Sequence, residues 1–345
     1  MRAAAAAADG PRPRRRWWRR LLLILAAPVV ALLAAEVALR WLGMYPPIVR
    51  AAPGEHADRG HPNFVAEPTV GWRMRPDSEF TVDGEGGEVA FRADTNGWRT
   101  RPAASPDLAA RPRTVLLAGD SFVWGAGVQY DDSLAALLER AHPTVRVVNL
   151  AQPGFGLDQI MLAVVEQGLP LRPDLVVVGI YPQDCSRSQT AFREDLGFNK
   201  PTFALRGGEL AALTSADRPS ALGAFLEHNS RLFGLWRRAQ RNLGFEHGIG
   251  SWWALNAAIL DRLRSRVAAA GCPLLLAHVP LHDWRAFVGL TRYCDEHDVP
   301  LVDPVASHAT KPEGIYYEPA GHFTPAGQRW FFELVNAEIA RRGWL

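Results

Sequence analysis

Three short stretches of this 345-residue chain end apolar runs, and a fourth stands just before the last helical stretch, with side chains or backbone suited to nucleophilic catalysis. "LLAGDSFVWGAG" supplies Ser121 behind Asp120, "VVNLAQPGFGLDQ" supplies Gly154, "VVVGIYPQD" ends in Gln183 and Asp184, and "GHFTPAGQ" holds His322. A serine hydroxyl is a weak nucleophile until a base takes its proton, and histidine is the natural base near neutral pH. Attack on a carbonyl then needs donors aimed at the developing oxyanion. The Ser121 N–H, the Gly154 N–H, which no side chain shields, and the Gln183 amide could provide them. Each residue alone has a plainer reading: Ser121 as a helix cap, Gly154 as a turn glycine, His322 as a surface histidine. Ser121 and Gly154 at the ends of apolar runs, with His322 just before the last helical stretch, are joined by that order along the chain.

The runs themselves predict how they come together. "TVLLAGDS", "VRVVNLAQPG", "PDLVVVGIYPQD", "PLLLAHVPL" and "PLVDP" read as strands, the first four with the continuous apolar character of strands covered on both faces. Between and after them, "DDSLAALLERA", "LDQIMLAVVEQGL", "WALNAAILDRLRSRVAAAG", "WRAFVGLTRYCDEH" and "PAGQRWFFELVNAEIARR" carry helical periodicity. Such alternation predicts right-handed βαβ units, a parallel sheet between two helical layers, and a ligand site at the carboxyl ends of the strands. Residues 185–250 break the rhythm and are expected to be an insertion over that edge.

The four stretches resemble the conserved blocks of the SGNH hydrolase superfamily, the GDSL esterases and lipases, over about 230 residues from Arg113 onward. "TNGWRT" and "AEVALRWLG" are similar to its membrane-anchored, poorly characterised branch. The resemblance implies an α/β fold, a flavodoxin-like three-layer α/β/α sandwich. It also implies hydrolysis or transfer of acyl groups without metal or organic cofactor, with Ser121 as nucleophile, His322 as base, and Ser121, Gly154 and Gln183 as the oxyanion hole. Asp120 and Asp184 support the site. On this reading the substrate is an acylated carbohydrate or other ester, with an acetyl ester of an envelope or extracellular polysaccharide foremost. The alternatives are an O-acyltransferase fed by a membrane acyl-donor partner and a degenerate carbohydrate-binding or scaffolding module.

Two positions depart from that pattern. Gln183 stands where the family has Asn, one methylene longer. Pro319 and Ala320 occupy the places of the aspartate that orients the base, which makes Glu318 the nearest acid. Asp303, Glu313 or a backbone carbonyl are the other ways to hold the ring.

Residues 1–20 carry seven Arg against Asp9; without them the chain has 31 basic and 35 acidic residues, a net of −4. The basicity therefore belongs to the tail, and a nucleic-acid partner is not expected. Leu21 to Ala35 is uncharged, Glu36 interrupts, and Val37 to Leu39 continues, with Trp17, Trp18, Trp41 and Tyr45 flanking. This predicts a transmembrane signal anchor at 21–44 behind a basic cytoplasmic tail, 1–20, with a cleaved signal peptide as the competing reading. Residues 45–112 then form a linker and a small β-rich apron, and 113–345 the extracytoplasmic hydrolase-like domain. Cys185, Cys272 and Cys294 make no disulfide framework. His278, His282 and Asp283 share no helical face, so a metal site is not expected.

Overall fold

The computed structural model describes residues 15–44, 61–101, 110–193, 196–213, 221–242, 252–280, 282–306, 310–319 and 321–345. Most of the basic tail, the linker with His56 and Asp58, and Ala320 lie outside them. The chain divides into two compact units, Met1–Val49 with Pro219–Gln240, and Arg50–Arg218 with Arg241–Leu345.

In the larger unit, two antiparallel ribbons come first. Strand β1 (Phe64–Glu67) pairs with β2 (Gly71–Met74). Strand β3 (Glu79–Gly84) pairs with β4 (Gly87–Ala93), leaving Glu85 and Gly86 as a two-residue turn, and β4 pairs with β5 (Arg99–Thr100). These inward faces carry Trp72, Met74, Val89 and Phe91 into the same core as the sheet that follows.

That sheet has five parallel strands: β6 (Arg113–Ala118), β7 (Val145–Asn149), β8 (Leu175–Ile180), β13 (Leu274–His278) and β14 (Leu301–Val302). Its order is β14-β13-β8-β6-β7. Counting only these strands in chain order gives 2-1-3-4-5, the flavodoxin-like doubly wound arrangement with its switch point between the first and third strands. The five apolar runs singled out in the sequence are these five strands. Every residue of β8 is buried, as a strand covered on both faces requires.

Two groups of helices provide the cover. Helix α3 (Leu134–Ala141) packs on β7 and on the last helix, α10 (Pro325–Arg342). Helix α4 (Leu157–Leu162), which continues through a π turn at Ala163–Gly168, packs on α8 (Trp252–Ala269), and α8 on β13. Between β8 and α8 come α5 (Pro182–Arg187), short strands β9 (Phe192–Arg193) and β10 (Phe198–Asn199), and the ribbon β11 (Phe203–Arg206)–β12 (Glu209–Ala212). Helix α9 (Val288–His297) precedes β14. Cys185, Cys272 and Cys294 are buried free thiols.

The smaller unit holds α1 (Arg15–Trp41), α6 (Ala221–Asn229) and α7 (Arg231–Asn242). Within α1, Leu21–Trp41 is apolar and long enough to cross a membrane, with a mean hydropathy of 2.5 and no buried residue in its most apolar stretch.

Candidate active site

Strand β6 ends in Gly119, where a Cβ would come within 2.5 Å of the Val123 side chain and 2.9 Å of the Gly179 carbonyl, so only glycine allows this close turn off the sheet. Asp120 then caps the short helix α2 (Ser121–Trp124), its Oδ1 accepting from the Phe122 N–H at 3.0 Å. Ser121 is thereby set at the first helical position, largely buried. The far end of α2 is held from the apron. Asp94 Oδ1 accepts from the N–H groups of Asn96 and Trp98, and Gly97 takes a φ of 76°. That turn in "TNGWRT" delivers Arg99, whose guanidinium donates to the carbonyls of Trp124, Gly125 and Val128 and lies 4.4 Å from the Phe91 ring centroid. Burial pulls Arg99 down to about 9. Gln328 of α10 donates to the Phe122 carbonyl.

His322 stands just before α10, its ring centroid 5.0 Å from that of Phe122. Its Nε2 lies 2.8 Å from Ser121 Oγ. Its Nδ1 lies 2.9 Å from Oε2 of Glu85, which also accepts the His322 backbone N–H at 2.7 Å. A carboxylate only accepts, so Nδ1 carries the proton and Nε2 is free to receive the one on Ser121.

The carboxylate on the ring is therefore Glu85 of the β3–β4 turn, not Glu318, which is exposed near the chain reversal before His322 and makes no hydrogen bond to it. Asp303 is committed elsewhere: its Oδ1 accepts from His278 Nδ1 at 2.9 Å and its Oδ2 from Thr291. Glu313 is exposed. The turn "DGEGGE" fits against the histidine loop through small residues. A Cβ on Gly321 would meet the Glu85 carboxyl carbon at 2.8 Å, and one on Gly86 would overlap the Gly127 carbonyl. Tyr317 Oη also donates to that carbonyl at 2.9 Å.

Gly154 follows β7 with a φ of 75°, a left-handed conformation that favours glycine. A Cβ there would sit 3.1 Å from the Arg193 guanidinium, which thus lies over the glycine. Neither the Ser121 nor the Gly154 N–H donates a hydrogen bond among the described residues. Gln183 lies in the first turn of α5, beyond β8, with its side chain exposed. All three sequence-predicted donors thus sit at carboxyl ends of adjacent strands, on the edge that holds Ser121.

Beneath them Arg187 donates to Asp120 at 2.9 Å, to Asp184 at 2.7 Å and to the Phe155 carbonyl. Burial, then the facing Asp120, pushes Asp184 well up, against the pull of Arg187. Burial works against the Arg187 charge, but the two carboxylates outweigh it and raise Arg187. The pair of acids named beside the serine and the amide is thus joined by one guanidinium. Among the described residues no group of three or more His, Cys, Asp or Glu is placed to hold a metal ion.

Fold and site together define a doubly wound α/β protein with a Ser–His–Glu relay at its strand ends. No family model matches the chain, and no curated protein does. Among solved structures, that of TesA shares 17% identity over 68% of this chain and all of its own, with a TM-score of 0.41. The acetyl xylan esterase AlAXEase shares 13% over 66% of this chain and 99% of its own, at 0.40. The lipase/acylhydrolase from Enterococcus faecalis shares 15% over 67% and 96%, at 0.38.

Proposed function

We propose that this chain is a membrane-anchored serine ester hydrolase acting outside the cytoplasm on O-acyl, foremost acetyl, esters of envelope or extracellular polysaccharide. The observation that carries the reading is the unbroken relay from Ser121 Oγ through both ring nitrogens of His322 to Glu85. Ser121 attacks the ester carbonyl while Nε2 takes its proton, and the same nitrogen returns that proton to the leaving alcohol. Glu85 holds the Nδ1–H tautomer and stabilises the imidazolium. The N–H groups of Ser121 and Gly154 and the Gln183 amide receive the oxyanion. A water molecule activated by His322 then releases the acyl group and restores the serine.

A complete relay argues against a binding module that has lost its chemistry, since such a module has no use for an aligned base and acid. Anchoring rests on Leu21–Trp41 and on the basic residues before it, which the positive-inside rule keeps cytoplasmic.

The test is turnover of acyl esters from acetyl to long-chain by full-length protein, with Ser121→Ala alongside. Hydrolysis of short esters lost in Ser121→Ala supports the reading; equal rates in both proteins overturn it. Adding an oligosaccharide acceptor separates hydrolysis from transfer.

A further inference from the structure

We infer that α6 and α7 form a second membrane contact: a pair of consecutive helices seated among the anionic lipids of the leaflet that receives the C-terminal end of α1. The inference rests on the reading of α1 as a membrane span. Glu36, the single acid inside that apolar run, has no reason to be there if lipid surrounds it, because an ionised carboxylate at such a position is costly. The structure gives it partners. Its Oε1 accepts from the Arg231 N–H at 3.0 Å and from Arg40 Nε at 2.8 Å. Its Oε2 accepts from the Leu232 N–H and from Ser230 Oγ, each at 2.9 Å. Ser230 Oγ also accepts from the Phe233 N–H, so serine and glutamate together satisfy the first N–H groups of the twelve-residue α7. Arg40 donates to the Asn229 carbonyl at the end of α6, and Arg231 to the Met44 carbonyl.

These contacts fix a depth. Glu36 lies five residues before Trp41 at the end of α1, about 7.5 Å along a helix axis. The junction of α6 and α7 is tied to that level, which falls within the roughly 5–10 Å to which interfacial helices sink into the headgroup and acyl boundary. The helix pair is composed for that layer. Leu222 and Phe225, one helical turn apart on α6, are 66% and 60% exposed, and Trp236 on α7 is 50% exposed against Phe233. The sequence of α7 contains Arg231, Arg237, Arg238 and Arg241 and no acid, the charge that suits anionic headgroups. Apolar side chains left open beside a membrane span, at a depth set by a carboxylate clamp, commit this face to lipid.

The test places an environment-sensitive fluorophore on Phe225→Cys, Trp236→Cys or, as a reporter of the span, Val30→Cys in full-length protein, labelled with the three native thiols still buried. The protein is reconstituted in phosphatidylcholine–phosphatidylglycerol vesicles. Lipids with a nitroxide near the top of the acyl chain should quench the Phe225 and Trp236 probes at least about twofold more than those with a deep nitroxide, and the Val30 probe the reverse. Adding Glu36→Gln should roughly halve shallow quenching at Phe225 while leaving Val30 unchanged. Probes on α6 and α7 quenched by aqueous iodide and not by lipid, with Val30 still buried, would overturn the second contact and leave the anchor standing. Probes shielded from iodide and lipid alike would overturn it in favour of a protein partner or a second copy. A Val30 probe in water would overturn the anchor and the second contact with it.

Discussion

Glu85 and His322 lie 237 residues apart in the chain, yet one carboxylate oxygen of Glu85 takes both the ring Nδ1–H and the backbone N–H of His322. The acid of the relay thus comes from a hairpin turn outside the doubly wound sheet. The apron that carries it is part of the catalytic apparatus on this account.

Removing that carboxylate should cost turnover and little else. Glu85→Ala is expected to lower kcat by about 10²-fold with KM nearly unchanged, less than the loss of a fully buried orienting aspartate because the Glu85 side chain is 40% exposed and water can replace part of its role. Glu318→Ala should stay within about twofold of wild type. Steady-state kinetics on one short-chain ester decides between them. Equal losses in the two variants would return the role to the loop before His322.

The oxyanion donors should separate from the relay in their dependence on the side chain. Gly154→Ala forces a side chain into a left-handed backbone and against the Arg193 guanidinium, and should lower kcat by about 10²- to 10³-fold, the range for one misplaced donor. Gln183→Ala removes an exposed amide at the third strand end and should reduce kcat by a similar factor, with Gln183→Asn restoring part of it. An unchanged kcat in Gln183→Ala would leave the oxyanion to the two backbone N–H groups.

The fold and the site were unequally legible in the sequence. The central strands β6, β8 and β13 stand out as short apolar runs because they are buried on both faces, and α10 and α3 as helical periods because each packs on a neighbour. Ser121 could be placed because strand ends in this topology share one edge, and His322 because it stands just before the last helix. Glu85 could not: Glu318 lies beside His322 in the sequence, whereas nothing local marks a turn glutamate as a partner of a loop at the other end of the chain. Its only trace is "DGEGGE", where glycines on either side permit close approach. Arg99 is hidden likewise: only the tertiary structure shows the guanidinium of "TNGWRT" holding the end of the nucleophile helix. Glu36, read as an interruption of the anchor, proves to be the acceptor for α7.

Beneath the serine, Arg187 is the single cation between Asp120 and Asp184 among the described residues. Arg187→Met should leave two buried carboxylates facing each other and destabilise the larger unit by about 3–5 kcal/mol. Chemical denaturation measures it. A change below about 1 kcal/mol would mean that the acids find other partners.

The His278–Asp303 pair predicts an acid limb in stability. Burial opposes ionisation of Asp303, but hydrogen bonds from His278, the Ala306 N–H and Thr291 outweigh it and hold the carboxyl down to about 2. A depressed native value means that the stabilisation is complete above the unfolded value, near 4, and is lost as pH falls from there toward about 2. Thermal unfolding across that window should therefore show a slope that Asp303→Asn flattens. An identical slope in the variant would remove Asp303 as its source.

The most direct measurement is covalent capture of Ser121 by a fluorophosphonate probe on the full-length protein, read as the labelling rate and by mass spectrometry of the modified peptide. Stoichiometric modification at Ser121 is expected, with none in Ser121→Ala and labelling slowed by about 10²-fold or more in His322→Ala. Wild-type protein that does not label, or a Ser121→Ala variant that labels equally, would contradict it.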